Sequence, residues 1–125
     1  MRSLPDKDSK APVKNNILWL LMRYRMDIDI FYRTLQNMRK MPTGKDKYRS
    51  IERALRELDK EGWPIIKEID KHGITWYSAG PNFKDFLLVQ FEKEAESIAK
   101  ESIMREMKRF NEIVKLKNKM EKYES

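Results

Sequence analysis

The apolar positions between residues 45 and 62 repeat with a helical period. Ile51, Leu55 and Leu58 are spaced by four and three, so they share one side of a predicted helix. Ala54 lies at the edge of that side, where a small residue lets another helix come close. Arg49, Arg53, Arg56 and Lys60 are spaced by four, three and four. At about 100° per residue their stripe lies almost opposite the apolar one. Glu52 and Asp59 fall on one flank and Glu57 on the other. Asp46 is the candidate N-cap, and Gly62 is a natural stop.

Two helices are predicted before this one. Asn15 or Asn16 can cap the first. Ile17, Leu20, Leu21 and Tyr24 make its inward face, widened by Leu18, Trp19 and Met22. A helix apolar over so much of its surface belongs at the centre of a core. Asp27 caps the second, whose Ile28, Phe31, Leu35 and Met38 are spaced by three, four and three. One long helix through Asp27 and Asp29 is the alternative, because no Gly or Pro separates the two. The break before the basic helix is clear at Met41, Pro42, Thr43 and Gly44.

After Gly62 the period shortens. Residues 65–70 and 74–78 are β-rich runs joined by a short loop, which makes a β-hairpin. The loop is Lys71-His72 or His72-Gly73, and the register stays open. Asn82 can cap a last helix that meets no Gly or Pro up to Ser125. Some 40 residues at about 1.5 Å each span roughly 60 Å. Phe83, Leu87, Phe91, Ala95 and Ile98 form one apolar stripe; Ile103, Met107, Phe110 and Val114 form another, with Leu116 and Met120 less regular. The stripe is interrupted around residues 99–102. Such a rod needs a partner helix, most simply from a second copy. Residues 82–104 are net acidic and 105–122 net basic, so antiparallel pairing sets acids against bases. Helix-dipole complementarity fades within a turn of each end and does not account for a bias over the whole rod.

Composition narrows the function. Of 125 residues, 38% are charged and 40% hydrophobic, which suits helices with long exposed faces. There is no cysteine and one histidine. A disulfide scaffold and a thiolate metal site are therefore excluded, and a reducing interior fits. No membrane span or signal-peptide core is visible, so a soluble, cytoplasmic protein is expected. There is no Gly-rich phosphate loop, nucleophile–base arrangement or metal-spaced cluster, so no enzyme, cofactor or metal is expected. The methionines sit largely on apolar stripes and fill the core. The net charge is +7, with the excess mostly in the first two thirds, and favours a polyanionic partner. Three segments follow: residues 1–14, a flexible basic arm with Arg2, Lys7, Lys10 and Lys14; residues 15–81, the folded domain; and residues 82–125, the dimerisation helix.

Helix, helix, basic helix, hairpin, long helix is the order of a winged helix-turn-helix domain with a dimerisation helix. Residues 48–63 resemble the recognition helix of the MarR and PadR transcription regulators, through Arg53-Ala54-Leu55, Leu58 and Gly62-Trp63. Residues 76–80 resemble the return strand of the wing, and the long last helix is similar to that of small archaeal winged-helix DNA-binding dimers. The match departs from the families at residues 41–45, which replace the usual tight turn, and in a wing tip with few bases. The resemblance implies a chromosome-associated homodimer on double-stranded DNA that regulates transcription, most simply as a repressor. Lys45, Lys47, Arg49, Ser50, Arg53 and Arg56 would sit at or in the major groove, the N-terminal members at base edges and Arg56 and Lys60 more often at phosphates. Tyr48 would touch a thymine methyl or a phosphate, or belong to the core. Lys67, Lys71 and His72 would set the wing on the backbone or minor groove. The alternatives are a solvated basic face on an ordinary amphipathic helix, a non-specific architectural DNA-binding protein, and a winged-helix protein-interaction module.

Overall fold

The structure is a computed structural model and describes residues 3–124. The chain divides after Gln90 into two units. It is mainly helical, with a small three-stranded antiparallel sheet and a long C-terminal helix. In order, the elements are α1 (Val13–Leu21), β1 (Met26–Asp27), α2 (Ile28–Met38), α3 (Arg49–Lys60), β2 (Ile65–Ile69), β3 (Thr75–Ala79) and α4 (Phe83–Glu124).

In the first unit the core lies among three helices. Ile17, Leu18, Leu20 and Leu21 of α1 meet Phe31 and Leu35 of α2 and Ile51, Leu55 and Leu58 of α3, all buried. Ala54 is buried as well. Ile28 and Met38 pack against the cluster while remaining partly exposed. α1 is shorter than its apolar pattern suggests. It ends at Leu21, and Met22 and Tyr24, expected inside, are exposed. Trp19 is half-buried, with the Arg23 guanidinium 4.1 Å from its ring centroid.

Helices one and two are separate. Asp27 ends β1 and accepts the Ile30 N–H at 2.8 Å, so its cap starts α2 as expected. β1 pairs antiparallel with β3 through Met26–Tyr77 and Asp27–Trp76, and β2 lies on the other side of β3. The hairpin register places Ile65 opposite Ala79, Lys67 opposite Tyr77 and Ile69 opposite Thr75. Its loop is Lys71-His72-Gly73, closed by the Asp70 N–H to Ile74 O at 3.0 Å and the Gly73 N–H to Asp70 O at 3.0 Å. Gly73 has φ of +78°, as a three-residue hairpin loop of this kind requires.

The first 14 residues are not a loose arm over their described part. Ser3 is buried, and its Oγ donates to Glu61 Oε1 at 2.7 Å. The Asn16 side chain donates to Asp6 O at 2.6 Å and Asp8 O at 3.1 Å. The Arg39 guanidinium donates to Ala11 O and to Asn16 Oδ1. Lys14 Nζ lies 3.8 and 3.7 Å from Glu57 and Glu61. Asn16 is thus an interior tether with 0% exposure, and α1 starts earlier, after Pro12, without a side-chain cap. Of the bases in the expected arm, Arg2 lies outside the described residues.

The first unit also reaches past residue 81. Trp63 is buried, with ring centroids 5.3 Å from Phe83 and 4.7 Å from Phe86. Phe83 and Leu87 belong to this core. They are therefore not part of a dimerisation stripe: a buried indole needs apolar cover, and the first turns of α4 supply it. The second unit, from Phe91 onward, is the rest of α4 alone. Its large apolar side chains through Met120 are exposed.

Candidate nucleic-acid interface

α3 carries the candidate interface, and its ends set which residues face outward. Asp46 does not cap it; Tyr48 occupies the cap position without a side-chain cap bond, and the Arg49 N–H reaches Asp46 O at 3.1 Å. Lys45 and Lys47 therefore stand in the turn before the helix. At the other end Gly62 has φ of +92°, its N–H donates to Asp59 O, and the Trp63 N–H donates to Leu58 O. This paired arrangement is a Schellman stop. Asp59 and Leu58 give up carbonyls that would otherwise be orphaned.

Between these ends the helix has the two faces expected of it. Ile51, Leu55 and Leu58 are buried, and Arg49, Arg53, Arg56 and Lys60 are exposed. Among the described residues none of these four cations has an acid within ion-pair distance, whereas Glu57 and Glu61 are both beside Lys14. Lys14 of α1 thus engages Glu57 and Glu61, while Glu52 and Asp59, exposed on the flank of the stripe, make no ion pair with its four cations.

The other candidates divide. Ser50 is half-buried rather than on the cationic stripe. It lines a hollow of about 210 Å³ with Lys14, Arg53 and Glu57, and its buried Oγ has no hydrogen-bond partner among the described residues. Tyr48 is half-buried and committed internally: its hydroxyl donates to Asp29 Oδ1 at 2.6 Å and its ring stands edge-on to Tyr32. The bond to the Asp29 carboxylate is the main cause that raises the phenol above its ordinary pKa. Lys47 Nζ lies 5.0 Å from the Tyr48 ring centroid and 5.3 Å from that of Tyr32, within cation–π range. The turn before α3 is thus built on an aromatic pair.

In the hairpin, Lys67, Lys71 and His72 are exposed. Asp70 shapes the loop that carries the last two. Its Oδ1 accepts the His72 N–H at 2.8 Å and the Ile74 N–H at 3.0 Å, and its Oδ2 accepts Trp76 Nε1 at 2.9 Å. These donors, the indole first, hold the carboxyl below the usual carboxylate range. Tyr77, facing Lys67, is shifted up by burial and then by the charge of Glu52.

Two positioning side chains, Asp29 and Arg25, are not singled out by the sequence. Asp29 accepts from Tyr48 and also lies 2.9 Å from Arg33 Nε; the Asp–Arg spacing of four was the available signal. Arg25 lies 4.7 Å from the Trp76 ring centroid and 3.4 Å from Glu68 Oε2. That meeting depends on β1 joining the sheet, which no local pattern announces.

No protein-family model, curated protein or solved structure matches the chain. Among the described residues there is no cluster of three or more potential metal ligands. No helix there is long and apolar enough to cross a membrane.

Proposed function

We propose that the first unit is a winged helix-turn-helix domain that binds duplex DNA, and that the chain acts as a homodimeric transcription regulator. The observation that carries this reading is the exposed stripe of Arg49, Arg53, Arg56 and Lys60, opposite a buried apolar stripe on the same helix. α3 enters the major groove. Arg49 and Arg53 read base edges, while Arg56 and Lys60 meet phosphates. Lys45 and Lys47 sit at the backbone beside the helix start. The hairpin is the wing, and Lys67, Lys71 and His72 lie along the neighbouring backbone. The exposed apolar side chains beyond Phe91 supply the dimer contact.

A second reading has its own observation. Ile69, beside the hairpin loop, is 74% exposed, and Ile66 and Ile74 are exposed too. An apolar hairpin surface suits a protein partner better than a phosphate backbone.

The test is binding of a fluorescent duplex from upstream of the chain's own gene, against a scrambled duplex, over a salt series. Tight, salt-sensitive binding to the first with much weaker binding to the second supports sequence-reading regulation. Equal binding to both supports an architectural role. No binding at low salt removes the groove assignment of Arg49 and Arg53 and favours the protein-contact reading.

A further inference from the structure

α4 beyond Gln90 presents two apolar stripes rather than one. Counting about 100° per residue, Ile103, Met107, Phe110 and Val114 lie about 120° around the helix from Phe91, Ala95 and Ile98. A single partner helix does not cover both. The residues that return to the first stripe are Ile113, Leu116 and Met120. All six of its members, and all four of the second, are exposed; Phe91 is 48% and Ile98 57% exposed.

The first stripe is a mirror of itself. Phe91 and Met120, Ala95 and Leu116, Ile98 and Ile113 are pairwise equidistant from the bond between Arg105 and Glu106. At the two ends of the stripe the flanking charges follow the same symmetry with the sign reversed: Glu92 and Glu94 lie within about one turn of the mirror positions of Lys117 and Lys119. From Phe91 to Met120 the stripe advances at about 3.6 residues per turn, so two nearly straight helices stay in contact along it.

We propose that α4 binds α4 of a second copy, antiparallel, along Phe91, Ala95, Ile98, Ile113, Leu116 and Met120, with the two-fold axis at the Arg105–Glu106 bond. The proposal rests on the homodimer reading above and specifies its surface and register. Phe91 of one copy then meets Met120 of the other, and Ile98 meets Ile113. Glu92 and Glu94 face Lys117 and Lys119 across both edges. A parallel pair would align the same apolar stripe but set Glu92 against Glu94 and Lys117 against Lys119 of the other copy, which is repulsive. The centre of the seam is polar: Ser102 and Arg109 share the stripe and face each other across it, while Arg105 meets Arg105 of the other copy on one edge and Glu106 meets Glu106 on the other. Polar positions inside a seam cost stability and select register, because a slipped pair buries them against apolar side chains. The second stripe stays outside this contact.

The chain has no cysteine, so single introduced thiols report the register directly. Ile98→Cys and Ile113→Cys are made separately, carried on differently tagged copies, co-expressed and oxidised without DNA. The expected result is a disulfide joining the two different tags, with each variant alone giving at most about a tenth of that yield. Self-crosslinking of Ile98→Cys at the same yield would show a parallel pair and overturn the proposal. So would crosslinking of Met107→Cys with Phe110→Cys in preference to the first pair. Sedimentation of the unmodified protein separates the two levels: a dimer with the wrong crosslinks sinks the register alone, and a monomer sinks the homodimer reading with it. As a second arm, Glu92→Lys with Glu94→Lys weakens dimerisation by about tenfold, and adding Lys117→Glu with Lys119→Glu restores it to within about threefold. Failure of the four-fold swap to restore affinity would also overturn the assignment.

Discussion

The Tyr48 hydroxyl donates a 2.6 Å hydrogen bond to Asp29 Oδ1, joining the residue before α3 to the first turn of α2. The same carboxylate is 2.9 Å from Arg33 Nε, and the Tyr48 ring stands on Tyr32, whose hydroxyl donates to Pro42 O at 2.6 Å. The turn between α2 and α3 is therefore held at both ends. Tyr48→Phe keeps the ring pair and removes the bond. The expected outcome is faster amide exchange in the first turn of α3 with an unchanged circular dichroism spectrum. On the proposed function, duplex affinity also falls, by less than about tenfold, because the cations stay and only their support loosens. Unchanged exchange would show that the ring contact alone holds the turn.

The four outward cations of α3 separate by role. Arg49→Ala or Arg53→Ala is expected to cost about 1–3 kcal/mol on a preferred duplex and much less on a scrambled one, if each pairs with a guanine. Arg56→Ala and Lys60→Ala are expected to weaken all sequences alike and to lower the salt slope by about one each. Fluorescence anisotropy over a salt series distinguishes the patterns. Uniform weakening by all four would place every contact on phosphate.

Asn16 holds the N-terminal segment from inside the core, and no neighbouring residue signals it. Its side chain donates to Asp6 O and Asp8 O and accepts from Arg39. Asn16→Ala is expected to destabilise the first unit by about 1–3 kcal/mol, since it strips partners from part-buried polar groups. Urea unfolding followed by tryptophan fluorescence checks this. A change below about 0.5 kcal/mol would mean that water replaces the lost bonds freely.

The contrast with α3 shows what a sequence pattern carries. α3 was legible because both of its faces are written at helical spacing within twelve residues. The hairpin was legible because Gly73 and the β-rich runs sit next to one another. The N-terminal segment was misread because its partners, Asn16, Arg39 and Glu61, are remote in sequence and polar. Phe83 and Leu87 were misread for a related reason. They share the spacing of Phe91, and only the buried Trp63 ring separates core from exposed stripe. Tyr48 was left open between groove and core, and a carboxylate on α2 holds it within the fold.

Gly62 is required by its backbone: its φ is +92°, whereas a Cβ there would meet the Phe86 ring at 3.4 Å, an ordinary contact. Gly62→Ala is expected to cost about 1–2 kcal/mol for the left-handed backbone alone. The measurement is the urea midpoint at constant slope. Gly73→Ala meets open space but also has positive φ, +78°, so a similar loss there would assign the effect at both sites to backbone rather than to the Phe86 contact.

Asp70 makes the hairpin sensitive to acid, and the sign follows from its donors. Trp76 Nε1 and the Ile74 and His72 N–H groups bind the carboxylate and lower its pKa. A carboxyl lowered in the folded state contributes stability above its ordinary range, near pH 4. That contribution shrinks as pH falls below this range and is gone once the folded group is protonated. His72, in the loop itself, is exposed. Loop amide shifts of Lys71, His72 and Ile74, followed by NMR from about pH 5 to 2, are expected to hold down to about pH 4 and to move together below it. Asp70→Asn keeps the side-chain shape and removes the titration, so the acid step at these amides disappears and the hairpin is weakened across the whole range. An unchanged acid step in Asp70→Asn would assign it to another carboxylate.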